Sequence, residues 1–304
     1  MNRTKIDWCD YTFNPVTGCL HECKYCYAEK IANRFGLAFA PRLDEVDGCK
    51  YDSPVGMDTM LELNKPYYKS GRIQPYPMAF LPTFHRYHLD EPAKIKQPQK
   101  VFVCSMGDLF GDWVPSTWIC DVLNVVEFCL QHTFLFLTKN PKRYQEFEFP
   151  ANAWIGTSVE NQQAADERIP LLLQAQAAVR FISAEPLLGP IDLSQYLPKG
   201  METGDPPEDD PLGPDVACPE CEAIHEFGAA ENDPYCERLN WIICGTESGP
   251  KRRPAMSEWI ISLRDQCQTT GVPFFLKQMD VAGKLVKMPE LDGKVWSEFP
   301  EVTP

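Results

Sequence analysis

The sequence predicts an α/β fold in which a parallel sheet is covered by helices, and two observations carry the prediction. Short, continuously apolar runs recur along the chain, as expected of strands buried on both faces. Amphipathic stretches of helical period alternate with them. Two architectures satisfy this pattern, an open doubly wound sheet and a barrel of the TIM type. No glycine-rich dinucleotide fingerprint follows any strand, which weighs against the first.

Taken in order, Tyr27 to Phe35 reads as a short helix stopped by Gly36. Residues 37–98 are rich in Pro, Tyr and isolated charges without a sustained period, and read as an irregular insertion or cap. Val101 to Ser105 is a buried strand, followed by a helix with Pro115 near its first turn and apolar positions at Trp118, Ile119, Val122 and Val126. Phe134 to Thr138 and Ala153 to Ser158 are strands, and a helix covers roughly 161–178. Val179 to Ala184 is a further strand. After an acidic stretch at 200–238 the series resumes with Trp241 to Gly245, a helix from Ser257 to near Gly271, and Pro273 to Lys277. The whole reads as a single domain over 1–304 with two insertions.

At 304 residues and 44 % hydrophobic content, a sizeable core is available and wholesale disorder is excluded. No apolar run approaches a membrane span, and Met1 to Thr4 lacks the apolar core of a signal peptide. Thirteen cysteines without a leader suggest a reducing cytoplasm, where thiols stay free or bind metal. The net charge of −14 is concentrated: residues 201–238 hold twelve acids against one base, Arg238, a contribution of −11 that leaves −3 for the rest. The acidity belongs to that insertion.

The densest chemistry is at Thr17-Gly18-Cys19-Leu20-His21-Glu22-Cys23-Lys24-Tyr25-Cys26-Tyr27. Three thiolates at a C-x3-C-x2-C spacing can hold three irons of a [4Fe–4S] cluster and leave the fourth open to a second molecule. A zinc site would need a fourth ligand, for which His21 and Cys9 are the near candidates. A disulfide framework is disfavoured by the lack of a leader or regular pairing.

The spacing is the signature of the radical S-adenosylmethionine (SAM) enzymes, and the stretch resembles that family closely. The resemblance implies a partial (β/α) TIM-type barrel of about six parallel strands, with the cluster loop near the N-terminus. It implies a [4Fe–4S] cluster on Cys19, Cys23 and Cys26, SAM bound at the open iron and cleaved reductively to a 5′-deoxyadenosyl radical, and an electron donor such as flavodoxin or ferredoxin.

Chemistry in parallel α/β folds sits at the C-terminal ends of the strands. Those ends here are Ser105-Met106-Gly107-Asp108, Thr138-Lys139-Asn140, Ser158-Val159-Glu160, Ser183-Ala184-Glu185, Gly245-Thr246-Glu247 and Lys277-Gln278. Polar residues there can also cap the following helices. By resemblance, Ser105 to Asp108 would hold the methionine amino group, although the family's Gly-Gly-Glu is missing. Ser158 and Glu160 would hold the ribose, and Ser183 and Glu185 would lie along the adenine. Tyr27 would pack near the adenine, and Glu247 joins this cofactor-binding set by its place beyond an apolar strand.

A second pattern is basic. Lys139, Lys142, Arg143, Lys251, Arg252, Arg253 and Lys277 would ring one rim, either as ordinary solvated charges or as a surface for an anionic substrate such as a nucleotide or nucleic acid. Lys139, Arg143, Arg252, Arg253 and Lys277 are the candidate substrate-binding residues. In the acidic insertion, Cys218-Pro219-Glu220-Cys221 with His225 and Cys236 could form a zinc site, a second iron–sulfur site, or incidental thiols.

The blocks Asn14-Pro15-Val16-Thr17-Gly18-Cys19, Ser105 to Phe110, Leu137 to Pro141, Ser183 to Pro190 and Gly245 to Pro250 narrow the resemblance to a phage-associated radical-SAM-like family with no established reaction. The expectation is a radical SAM enzyme that modifies or repairs a nucleic acid or nucleotide-like anion. The alternatives are a metal-stabilised nucleic-acid or protein-binding module without catalysis, and an enzyme acting on a peptide or small metabolite.

Overall fold

A computed structural model describes residues 1–36, 49–50, 60–198, 216–217, 224–225, 238–249 and 252–301. Its centre is a nine-stranded sheet whose spatial order follows chain order. The strands are β1 (Asn2–Arg3), β2 (Tyr11–Phe13), β3 (Lys100–Val103), β4 (Thr133–Thr138), β5 (Ala153–Ser158), β6 (Val179–Ala184), β7 (Trp241–Gly245), β8 (Phe274–Val281) and β9 (Lys284–Lys287). From β2 to β8 every pairing is parallel. β1 and β9 are antiparallel edges.

Sequential order has a geometric consequence. Right-handed crossovers that always advance in one direction lay their helices on one face. Of the four α-helices among the described residues, α1 (Tyr27–Phe35) follows the cysteine loop, while α2 (Ser116–Phe128), α3 (Gln162–Leu173) and α4 (Ser257–Thr270) cover the sheet. Strand alternation sorts the core accordingly. Phe134 and Phe136 of β4 pack with Trp118, Ile169 and Ile260 of the helices. Leu135, between them, packs on the other face with Trp154, Phe181, Trp241 and Phe275. That second face is covered by Ile6 and Trp8 from the N-terminal segment and by Met288 and Phe299 near the C-terminus. Each fully buried aromatic here stabilises the sheet by about 2–3 kcal/mol.

The partial TIM-type barrel is not what the chain forms. The sheet is open, and no pairing closes it among the described residues. Hairpin partners occupy the hydrogen-bonding edges that a barrel would join to each other: β1 on β2, and β9 on β8. Nor does each strand have a helix, since β4 runs to β5 through a 3-10 segment, Pro141–Glu146. The six predicted strands all exist; β2 before the cysteine loop and the two edge strands are additions.

The 37–98 segment is also more regular than expected where it is described. Val16–Thr17 pairs with Thr83–His85, which pairs with Leu61–Leu63, and that strand with Cys49–Lys50. A hairpin, Tyr68–Lys69 with Arg72–Ile73, projects from the same lobe. In the acidic insertion, Val216–Ala217 pairs with Ile224–His225. Cys218, Cys221, Cys236, Lys251 and the His225 side chain lie outside the described residues. Cys104, Cys129 and Cys244 are buried, whereas Cys120 on α2 is exposed.

Candidate site at the C-terminal edge of the sheet

The cysteine loop lies across the C-terminal ends of the strands, wedged between the small lobe and β3. Gly18 sits at φ +88°, and a Cβ there would stand 2.3 Å from the Leu81 carbonyl oxygen. A Cβ on Gly107 would stand 2.7 Å from the Gly18 oxygen. Two glycines are therefore required for the loop to approach this closely. The Gly18 amide donates to the Met106 carbonyl at 2.9 Å and the Cys19 amide to the Phe80 carbonyl at 3.1 Å. Asn14 completes the seat, its Oδ1 accepting from the Ser105 hydroxyl and the Met106 amide.

Cys19, Cys23 and Cys26 are all partly exposed. Burial, with added repulsion from Asp108 and the other two thiols, pushes the Cys19 thiol up to about 12. Burial raises the Cys26 thiol too, with Cys23 adding to the shift, so the three sulfurs share one electrostatic neighbourhood. A bound metal would reverse this, because coordination stabilises the thiolate. The Cys26 sulfur also accepts the Glu29 amide at 3.3 Å as the N-cap of α1, a bond that strengthens as the sulfur gains negative charge.

Among the described residues no three His, Cys, Asp or Glu side chains stand together as ligands to a single ion. A cubane cluster presents its irons at separate corners, so the thiolates it holds stand farther apart than the ligands of one zinc. Cysteine thiolates are the donor type that such a cluster takes. Cys9, weighed as a fourth ligand, is buried in the second core cluster with Trp8 and Phe102.

Two polar nodes flank the loop. In the first, Asp108 is buried and accepts His21 Nε2 at 2.8 Å, the Thr138 hydroxyl at 2.7 Å, and the Phe110 and Lys139 amides, each at 3.0 Å. Burial alone would raise its carboxyl, but these hydrogen bonds, His21 foremost, hold it below the usual carboxylate range. Its lone pairs are thus committed within the protein, so Asp108 does not offer the predicted contact to an amino group. Ser105 is likewise turned toward Asn14.

The second node centres on Glu160. Lys139 Nζ stands 2.9 Å and Tyr25 OH 3.1 Å from its Oε1, and Arg168 reaches Oε2 at 2.8 Å. Burial opposes the charge, but Lys139 and Arg168 outweigh it and keep the Glu160 carboxyl below its ordinary range. Lys139 and Arg253 both lie 5.3 Å from the Tyr25 ring centroid, so a cysteine-loop aromatic packs against two cations. On the neighbouring strand ends, Lys277 pairs with Glu185 at 2.5 Å and Arg253 with Glu247 at 2.6 Å. Tyr27 donates to the Ser105 carbonyl at 2.6 Å and stays 46 % exposed. Ser158 and Ser183 are register partners on β5 and β6, and both are buried.

The structure therefore brings together Tyr27, Ser105, Glu160, Glu185, Glu247, Lys139, Arg253 and Lys277, and it pairs the two predicted classes with each other. The bases expected to form a positive rim are the counter-ions of the glutamates expected to bind a cofactor. Arg252 also is paired, to Asp280 at 2.6 Å. Arg143 leaves the rim altogether: it is 7 % exposed and donates to the Gly111 carbonyl at 2.5 Å and the Ser116 hydroxyl at 3.1 Å. Sequence reasoning missed Tyr25, Arg168 and Asn14. Tyr25 was the legible one, being the residue between the second and third cysteines.

Fold and site together define an open, sequentially wound α/β protein with a three-cysteine loop held over the C-terminal edge of its parallel sheet. The chain belongs to the family described as "Protein of unknown function (DUF5131)", whose model matches residues 3–300. No curated protein and no solved structure matches it.

Proposed function

We propose that this protein is a radical SAM enzyme acting on an anionic, nucleic-acid-like substrate. The observation that carries the reading is the placement of Cys19, Cys23 and Cys26 over the strand ends that also bear Glu160, Glu185 and Glu247. Cys19, Cys23 and Cys26 would hold a [4Fe–4S] cluster, which supplies the electron that splits SAM to a 5′-deoxyadenosyl radical.

The chain's own residues supply the rest. Tyr27, exposed on one side and anchored through its hydroxyl, offers a flat apolar surface beside the loop. Glu160 and Glu185 are oriented acceptors for hydroxyl or amino groups, each fixed by a lysine. The Tyr25–Lys139–Glu160 contacts hold the loop against the sheet, so a molecule bound at the cysteines faces a preorganised polar edge. A second reading, a zinc-stabilised binding module, is favoured by one observation: a carboxylate holding an imidazole, as Asp108 holds His21, is how proteins orient a metal-binding histidine.

Anaerobic reconstitution with iron and sulfide, then dithionite reduction with SAM, separates the two. The enzyme produces 5′-deoxyadenosine, and Cys23→Ala abolishes both the cluster absorbance and the product. Stoichiometric zinc bound through the same cysteines, with no SAM cleavage, would overturn the reading.

A further inference from the structure

Of the described rim bases, Lys139, Arg252, Arg253 and Lys277 are paired with acids and Arg143 is buried. That leaves exposed Lys142 as a single receptor for an anionic substrate, and a different element offers more. The hairpin Tyr68–Lys69 and Arg72–Ile73 turns through Ser70 (φ 52°) and Gly71 (φ 73°), the left-handed pair of a tight two-residue turn. All six residues are exposed, Tyr68 at 57 % and Ile73 at 51 %. Register puts Lys69 directly opposite Arg72, and Tyr68 opposite Ile73. Like charges facing across a ribbon destabilise it, and among the described residues no acid pairs with either base. From Leu63 to Leu89 the sequence contains no Asp or Glu, in a chain of net charge −14. Arg86, in the same stretch, is by contrast paired, with Glu62 and Asp121. Folding does not account for two unpaired facing cations beside an exposed tyrosine.

We infer that the 68–73 hairpin grips single-stranded nucleic acid, with phosphates on Lys69 and Arg72 and a base against Tyr68. Successive strand residues face opposite sides, so Lys69 and Arg72 lie on one face of the ribbon and Tyr68 on the other. A single strand reaches both by passing over the ribbon's edge, its backbone on the cations and an unstacked base on the tyrosine. Stacking on an aromatic requires an unpaired base, which selects single strands over duplex. A membrane is a poorer partner, because the tip is Ser70-Gly71 flanked by cations and its apolar residues lie behind them. The hairpin also belongs to the lobe that seats the cysteine loop: Gln74 N donates to Tyr67 O, and Tyr67 and Leu81 pack on Leu61, Leu63 and Met78. A strand held there lies beside the site, and the inference rests on the proposed enzyme only for what then happens to that strand.

The test is fluorescence anisotropy of the full chain with labelled oligothymidylate at several salt concentrations. Lys69→Ala with Arg72→Ala should lower the slope of log K against log salt by about 1.4, the value for two phosphate contacts. Tyr68→Ala should weaken binding about fivefold or more. Thermal stability of the double variant should be unchanged or higher, because a repulsion is removed. SAM cleavage without substrate should be unaffected, so failure of the enzyme reading registers separately. No binding by the unmodified chain at low salt, equal affinity in the variants, tighter binding of the annealed duplex, or binding of phosphatidylserine vesicles in preference to the oligonucleotide would each overturn the inference.

Discussion

His21 Nε2 lies 2.8 Å from Asp108 Oδ2, and this contact joins the cysteine loop to the middle of the sheet. Asp108, in the turn that follows β3, is also bonded to the end of β4, so one buried carboxylate ties the loop to two neighbouring strand ends.

Removing that carboxylate should therefore act on the loop and the fold together. Asp108→Ala leaves the Thr138 hydroxyl and two amides unpaired in a buried position, a cost of about 3 kcal/mol. Urea unfolding should report that loss, and iron retained per chain after reconstitution should fall with it. His21→Ala should lower iron retention with a smaller stability loss, because Asp108 keeps its other donors.

Two arginines should separate stability from function. Arg143→Ala should lower stability by about 2 kcal/mol, by removing the buried guanidinium's hydrogen bonds to the Gly111 carbonyl and the Ser116 hydroxyl, and leave substrate affinity alone. Arg253 is half exposed, so Arg253→Ala should change stability by less than about 0.5 kcal/mol. Its loss should instead weaken turnover by freeing Glu247 and unstacking Tyr25. Thermal melts beside 5′-deoxyadenosine yields distinguish the two.

Glu160 is the counter-charge for two cations. Glu160→Gln should destabilise by about 3 kcal/mol, leaving Lys139 and Arg168 facing each other. Tyr25→Phe, which removes one hydroxyl, should cost about 1 kcal/mol. Because the folded carboxyl is depressed below the ordinary glutamate value of 4.5, its contribution is present above that pH and lost as pH falls through the folded value. A denaturation series in acid would show the Glu160-dependent difference shrink below about pH 4.5.

His85 gives a second, distinct pH dependence. It is buried between Thr17 at 2.9 Å and Tyr87 at 3.1 Å, and burial, with His88 adding to it, lowers its imidazole to about 3. The folded state keeps it neutral while the unfolded chain takes up a proton below about 6.5. Stability should then fall by up to about 1.4 kcal/mol per pH unit from 6.5 toward 3, and His85→Gln should flatten that slope. An unchanged slope in the variant would show that His85 is not the group responsible.

Much of the scaffold was legible because it depends on local pattern. α1 begins at Tyr27 and ends before Gly36 as the spacing predicts, and Gly271 closes α4 in the left-handed conformation that only glycine takes without strain. The strands from Phe134 to Thr138 and from Trp241 to Gly245 were plain as apolar runs. The edge strands were not: Asn2–Arg3 and Lys284–Lys287 are polar and short, and exist because a neighbouring strand offers hydrogen bonds. The hairpin at 68–73 was hidden for a similar reason, since a two-residue strand has no period to detect.

By itself the sequence determined the alternation of strand and helix, the three-cysteine loop, and the polar residues that close each strand, since all three are written in neighbouring positions. Only the tertiary structure decided that the sheet stays open, that Arg143 is buried, and that Lys139 and Lys277 neutralise glutamates from other segments. Those outcomes turn on pairings such as Lys277 with Glu185, 92 residues apart. A charge declares its presence in the sequence, but its counter-ion is chosen by the packing that brings distant strand ends together.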